Sequence, residues 1–410
     1  MAEKAREYPE LRFQGFSGAW EKRKLGDVSD IQGGGTPDSK NQAYWSGDIN
    51  WFTPTEVSNQ GYLSESRRKI TKEGLLKSSA TLMPPGTVLM TSRAGVGDMG
   101  ILTQAAATNQ GFQSMIPHKE MPSYLLYSMQ FFISRMANKL ASGSTFMEIS
   151  GKQLAKIEVM IPGDSQEREL LCNFFKNLDD MITVNQRKLN ELKKLKKAYL
   201  QKMFPKNGVS IPELRFAGFT TPWEKRKLSD ISEKVTQKNT NNSFSEVFTN
   251  SAERGIISQL DFFDKDIANQ KNISGYFIVK NDDFVYNPRI SNLAPVGPIK
   301  RNKLGRNGVM SPLYYIFRTH SISPSFLEYY FEGTQWHYFM YLNGDTGPRA
   351  DRFAIKDSVF STMPIFITSS SEQIQIGSFF KSLDELITVN QRKLDKLKEL
   401  KKGYLQKMFI

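Results

Sequence analysis

The sequence predicts an α+β protein: two mixed α/β domains separated by two long antiparallel coiled-coil helices, with a pseudo-two-fold internal repeat. Three observations predict it. At 410 residues the chain is too long for one ordinary core. Parts of it are written twice: residues 9–30 and 212–233 agree at 15 of 22 positions, and residues 174–204 and 379–409 at 24 of 31. Between these matching ends the halves diverge, and "GGGTPDSKNQAYWSGDINWFTP" in the first has no near copy in the second. One architecture is thus used twice with different contents. The expected boundaries are 1–162 for the first domain, 163–211 for the first helix and linker, 212–367 for the second domain and 368–410 for the second helix.

Each variable block reads as mixed α and β. Strand-like runs cover Thr87 to Met90, Tyr276 to Val279, Phe284 to Tyr286 and Leu313 to Phe317, with turns at Pro84-Pro85-Gly86 and Asn287-Pro288. Helical pieces are expected over Ser123 to Leu140 and Pro324 to Tyr341. Strand order does not follow from the sequence. The Gly-rich "GGGTP" at 33–37 has no following Lys and reads as a turn, not a phosphate cradle. Tyr44 and Trp45 suit either stacking or packing, and packing is the better reading.

The repeated helix has marked ends. Asp164 and Glu167 have the spacing of a capping box, as do Ser370 and Gln373 in the second copy, and Pro205 closes the first helix. The acids Asp179 and Asp180 lie early and lysines late, which complements the helix dipole. The apolar stripe alternates by three and four: Phe175, Leu178, Ile182, Asn185, Leu189, Leu192, Lys196, Tyr199, Met203, and in the second copy Phe380, Leu383, Ile387, Asn390, Leu394, Leu397, Lys401, Tyr404, Met408. Such a repeat predicts a coiled coil. A parallel pair would set Lys196 against Lys401. An antiparallel pair can set Leu189 against Leu397 and Ile182 against Tyr404, with polar layers Asn185–Lys401 and Lys196–Asn390. An amide carbonyl accepts from an ammonium, so this register is the expected one. The short linker at 205–211 suits it.

Composition narrows the partners. The net charge is +13 at pH 7 and the isoelectric point about 9.4, a balance that favours polyanions, nucleic acid first. Residues 174–204 and 379–409 carry +5 and +4 of this charge (8 basic minus 3 acidic, 8 minus 4). The seam from Phe175 to Met203 spans roughly 43 Å at ~1.5 Å per residue. That matches about 12 to 13 DNA base pairs at ~3.4 Å each, slightly over one helical turn. The single Cys172 excludes an intrachain disulfide framework, fits a reducing cytoplasm and reads as a packing residue. His118, His320 and His337 have no second ligand at metal spacing, so no metal site is expected. No run approaches the ~18 apolar residues of a membrane span. The first ten residues lack a signal peptide's apolar stretch, and a cytoplasmic location is expected.

The "PELRF.GF…WEKRKL" openings, the "ITVNQRKL…KMF" helices and the duplicated order together resemble the specificity (DNA-recognition) subunit of type I restriction–modification systems, over nearly the whole chain. The resemblance implies that each variable block is a target recognition domain and each repeated helix a spacer. It implies as partners double-stranded DNA, two modification (methyltransferase) subunits and restriction subunits with translocase and nuclease activity. It implies an asymmetric bipartite site and adenine N6 methylation. No cofactor is expected in this subunit; S-adenosylmethionine, ATP and Mg belong to the partners. The absence of a G-x-x-x-x-G-K-[ST] loop, and of a convincing amino-methylation motif in "NPRI" at 287–290, fits a non-catalytic subunit without membrane association.

Base edges and phosphates are read by Arg, Lys, Asn, Gln, Ser and Thr on loops. Two stretches stand out by internal analogy: "TSRAGVGD" at 91–98 with "TNQGFQ" at 108–113, and "NPRISN" at 287–292 with "GRNGVMSP" at 305–312. Arg93 and Arg289 lead, with Asn109, Gln110, Ser291 and Asn307 beside them. Later loops add Ser144, Thr145, Thr346, Arg349 and Arg352. Two other classes stand against DNA recognition: a coiled-coil adaptor joining two non-DNA binding domains, and a stand-alone enzyme. Unlike blocks on a matched rod disfavour the first, and the lack of paired catalytic carboxylates or cofactor loops disfavours the second.

Overall fold

In a computed structural model, residues 8–57, 61–93, 95–141, 147–206, 208–261, 273–347 and 351–409 are described. The chain forms two compact units. The first comprises 1–188 and 390–410, the second 189–389. Each long helix, Ser165–Lys202 and Ser370–Met408, contributes to both.

The first unit is built on a five-stranded sheet in the order Ser29–Gly33, Gln113–Pro117, Val88–Met90, Met99–Leu102, Tyr62–Leu63. The first four are antiparallel and the last pairs parallel. Val88, Leu89 and Met90 are all buried, because the sheet is covered on both faces. Helices Ser123–Ser128 and Gln130–Ala141 lie over one side. A three-stranded sheet joins Arg68–Ile70, Trp45–Phe52 and Ala106–Thr108. Trp45 packs edge-on against Trp51 at 5.1 Å with the Arg68 guanidinium 3.6 Å above its ring, a packing role as expected. Gly34 and Gly35 also serve structure. A Cβ on Gly34 would lie 1.9 Å from the Asn109 carbonyl oxygen, and Gly35 N–H donates to the Thr108 carbonyl at 2.8 Å.

The second unit repeats the sheet order with different side chains: Ser232–Lys234, Tyr315–Thr319, Phe284–Tyr286, Ile299–Arg301, all antiparallel. Its core is aromatic, centred on Phe204, Phe284, Phe317, Phe326, Tyr330 and Phe380. The expected helical run from Pro324 divides into Pro324–Glu332 and His337–Asn343.

Each unit is closed by the same set of contacts, which the duplicated sequence encodes. The WEKRK strand Trp20–Lys24 pairs with Glu158–Pro162, and Glu224–Lys227 pairs with Pro364–Ile367. Arg12 forks onto buried Glu167 at 2.6 and 2.8 Å; Arg215 forks onto buried Glu372 at 2.6 and 2.7 Å. Leu11 N–H donates to the Lys407 carbonyl and Leu214 N–H to the Lys202 carbonyl, each at 2.9 Å. Asp164 caps the first long helix, as its sequence predicts, donating nothing and accepting from Gln166 N–H at 2.7 Å. Glu167, expected to complete a capping box there, is instead the carboxylate that holds Arg12. In the second copy the cap is Ser369, whose hydroxyl accepts from Glu372 N–H at 3.4 Å, one residue before the expected Ser370.

The helix contacts inside each unit run antiparallel. In the first, Tyr404 packs on Phe174 at 5.1 Å, Lys401 meets Asp179 at 2.5 Å and Lys398 meets Gln186 at 3.3 Å. In the second, Tyr199 packs on Phe379 at 5.0 Å and Lys196 meets Asp384 at 2.6 Å. Stripe positions Asn185 and Asn390 are buried, as are Leu189, Leu394 and Leu397. The polar layer expected between Asn185 and Lys401 takes other partners. Asn185 donates back to the Met181 carbonyl at 2.7 Å, while Lys401 pairs with Asp179 and not with the Asn185 amide. Within the second unit, Lys196 pairs with Glu332 and Asp384, each at 2.6 Å. A half-buried ammonium gains more from a carboxylate than from a neutral carbonyl, and the long Lys side chain reaches one. Tyr124 donates to Asp179 and Tyr329 to Asp384, so the two clusters match.

Candidate nucleic-acid interface

The predicted readers lie on loops that leave equivalent strands. In the first unit the strand Val88–Met90 runs into Arg93. Ser92 N–H donates to the Gly111 carbonyl at 2.8 Å, and Ile149 N–H to the Ser92 carbonyl at 3.2 Å. These bonds draw the 91–93, 109–111 and 148–149 segments together. Arg93 forms an antiparallel bridge with Glu148, and its guanidinium holds the Glu148 carboxylate at 2.8 Å. Both side chains remain partly open to solvent, at 48% and 36%. Gln110 is exposed, and its carbonyl accepts from the Thr36 hydroxyl at 2.5 Å. Asn109 serves the turn, accepting from Gly111 N–H at 2.9 Å. Ser144 and Thr145 lie outside the described residues.

In the second unit the strand Phe284–Tyr286 runs into Arg289, again three residues beyond its end. Asn287 shapes this exit. Its carbonyl accepts from Arg289 N–H, and its amide donates to the Asn250 carbonyl, both at 2.9 Å. Arg289 bridges Arg352, the counterpart of Glu148. Thr346 pairs with Phe353 on the same small hairpin, and Ser291 closes a turn with Ala294 at 3.0 and 3.1 Å. Arg289, Ser291, Thr346 and Arg352 are thus neighbours, and all are exposed. Asn307 does not join them. Its carbonyl accepts from Asn281 N–H at 3.2 Å, three residues before the strand Phe284–Tyr286, whereas Arg289 lies three residues after it. The grouping of Asn307 with Arg289 is therefore corrected: the strand runs between them. Arg349 lies outside the described residues.

Glu148 escaped the sequence reading. Its partner is 55 positions away (148 − 93) across a strand pair, and no local spacing signals such a contact. The Arg–Glu and Lys–Asp–Tyr contacts that stiffen each unit were also missed, although a signal existed. Arg12 and Arg215, Asp179 and Asp384, and Lys196 and Lys401 all occupy duplicated positions.

Ionisation is shaped more by packing than by this surface. Burial raises the Tyr124 phenol, aided by its bond to Asp179, and pushes the neighbouring Tyr127 up to about 12. Burial pushes the Cys172 thiol up to about 11, in keeping with its packing role. Among the described residues no cluster of His, Cys, Asp or Glu could hold a metal ion, and no helix is long and apolar enough to cross a membrane.

The family model for the type I restriction modification DNA specificity domain matches residues 18–194. The MjaIX type I restriction enzyme specificity subunit of Methanocaldococcus jannaschii is 35% identical over 177 residues, covering 42% of this chain and 40% of that protein. The EcoR124I/EcoR124II specificity subunit of Escherichia coli is 26% identical over 203 residues, 46% of this chain and 50% of that protein. The chain thus spans half or less of the length of these curated relatives. The type I restriction–modification S subunit from M. genitalium has the same fold, with TM-score 0.59 and 12% identity over 98% of this chain and 99% of that one. A chain from a structural study of the assembly and conformational transition of the type I R-M system aligns with TM-score 0.55 and 14% identity, over 95% and 97%.

Proposed function

We propose that the chain is a specificity subunit of a type I restriction–modification system, as its similarity to such subunits supports, and that it reads an asymmetric bipartite DNA site, one half per globular unit. The observation that carries this reading is the pair of equivalent loops. Two blocks without sequence similarity present an arginine at the equivalent place, three residues past the corresponding strand of each unit's main sheet, backed by a second solvent-facing segment. Equal scaffolds with unequal loops suit one recognition task performed on two different sequences. The net charge of +13 supports a polyanionic partner.

The subunit acts by placement, without chemistry of its own. It positions two adenine-N6 methyltransferase subunits and the restriction/translocase subunits on DNA, and those partners bind S-adenosylmethionine, ATP and Mg. The unlike loops select the bases, while the duplicated closing contacts hold both loops on matched frames. The test is co-expression with the cognate methyltransferase and mapping of methylated adenines, first with the native chain and then with residues 31–160 exchanged for another block. One half of the recognised sequence should change. A change in both halves, or in neither, overturns the modular reading.

A further inference from the structure

The two arginine loops share a backbone geometry and differ in the residue that faces the arginine. Around Arg289 and Arg352, Ile290 N–H donates to the Asp351 carbonyl at 3.0 Å and Phe353 N–H to the Pro288 carbonyl at 2.8 Å. These bonds flank the arginines, so the two form a non-hydrogen-bonded antiparallel pair. In such pairs the Cα atoms approach to about 4.5 Å and both side chains share one face. The first unit has the same arrangement around Arg93, with Ile149 N–H on the Ser92 carbonyl, but Glu148 stands opposite and neutralises the charge at 2.8 Å.

Like charges directly opposite one another destabilise a strand pair. Relief from nearby acids is not taken up. Asp345 and Asp351 lie in the same hairpin, yet among the described residues neither guanidinium has a carboxylate partner, and the Asp345 carboxylate accepts from Thr346 N–H at 2.7 Å. Elsewhere in the unit exposed arginines do find acids, as Arg306 finds Glu246 at 2.7 Å. Two exposed guanidiniums held together without a counterion make a site for a concentrated negative charge. Base edges are neutral; a backbone phosphate is not.

We propose that Arg289 and Arg352 form a clamp for DNA backbone phosphate, which seats the second unit without reading bases. This rests on the DNA-recognition reading above. The selection of bases in that half then falls to other side chains, Ser291 and Thr346 among them. Arg93, tied to Glu148, has no such excess charge and is not part of an equivalent clamp.

The test uses the full chain with its methyltransferase partner on a duplex carrying the mapped site. The slope of log K against log salt is measured for the native complex, for R289Q/R352Q and for R289K/R352K. Each phosphate contact contributes about 0.9 to that slope. The Gln variant should therefore lose about 0.9 of it if both arginines grip one phosphate, about 1.8 if each grips its own, and methylate the same sequence. The Lys variant should keep the native slope, because a phosphate needs the charge and not the planar fork. Far-UV circular dichroism checks the fold of both. An unchanged slope in the Gln variant overturns the clamp. So does a Lys variant with relaxed base preference in the second half-site, which would make the arginines base readers. Native binding with neither salt dependence nor sequence preference would overturn the DNA-recognition reading itself.

Discussion

The last residues of the chain should stabilise its first globular unit. Met408 is buried in that unit's core, and Phe409 packs on Trp20 at 6.1 Å and on Phe175 at 5.5 Å. Buried Met→Ala changes cost about 2–5 kcal/mol and Phe→Ala about 3–5. Phe409 is only half-buried and the two sites are neighbours, so the sum is not strictly additive, and roughly 3–6 kcal/mol is expected for M408A/F409A. A unit of this size is stable by about 5–15 kcal/mol, so the loss is a large share of the whole. Hydrogen exchange should rise steeply across 9–162, far away in sequence, and much less across 212–360. The mirror variant, M203A/F204A, should do the reverse, because Met203 and Phe204 fill the second unit's core. In the methylation map, the first variant should blur one half of the recognised site and the second variant the other. Equal deprotection of both units by either variant would refute the reasoning, as would a cost below about 1 kcal/mol, outside the range for buried side chains.

Arg215→Met should strand the buried Glu372 carboxylate, destabilising the second unit by about 3–5 kcal/mol; R215M/E372L should recover much of that in urea unfolding, and full additivity of the two changes would discount the pair. Burial opposes the Lys196 charge, but Glu332 and Asp384 outweigh it and raise its pKa. A raised folded-state pKa gives stability that is present below the unfolded lysine value of about 10.4 and lost as pH climbs past it. The native chain should accordingly lose more stability than K196M in alkaline thermal melts, and parallel curves would contradict this. Burial lowers the His337 pKa to about 4. The neutral ring then contributes stability above the unfolded value of about 6.5 that is lost as pH falls toward 4, on the order of 1–2 kcal/mol for a partly open site. H337Q should flatten that acid limb, which pH-dependent melts would detect. Gly34→Ala forces a Cβ toward the Asn109 carbonyl at 1.9 Å; it should cost over 1 kcal/mol and alter the adjoining 109–110 loop, seen as amide shifts confined to the first unit.

Much of the candidate site was legible for reasons that can be named. Arg93 and Arg289 were singled out because a buried β-run followed by a polar, Gly- or Pro-marked exit is a local pattern, and the structure places each three residues past that run. Asn307 was grouped wrongly because a Gly-bearing polar loop looks the same at either end of a strand. Glu148 carried no signal, since cross-strand pairing depends on register and not on spacing. The Asn185–Lys401 layer was misjudged because seam logic considers only the two helices. Asp179, Glu332 and Asp384 lie beside the seam and within reach of a long ammonium.

What the sequence determined by itself was the duplication and all that duplication implies. Repeated periodicity 3–4 on matched ends requires two like amphipathic helices, and the unlike middles require two different domain contents. Only the tertiary structure decided that both middles share one strand order. The same folded frame then sets Glu148 opposite one arginine and Arg352 opposite the other. The physical reason is range: helices are encoded by contacts three and four residues apart, whereas a strand's neighbour is chosen by packing across dozens of residues.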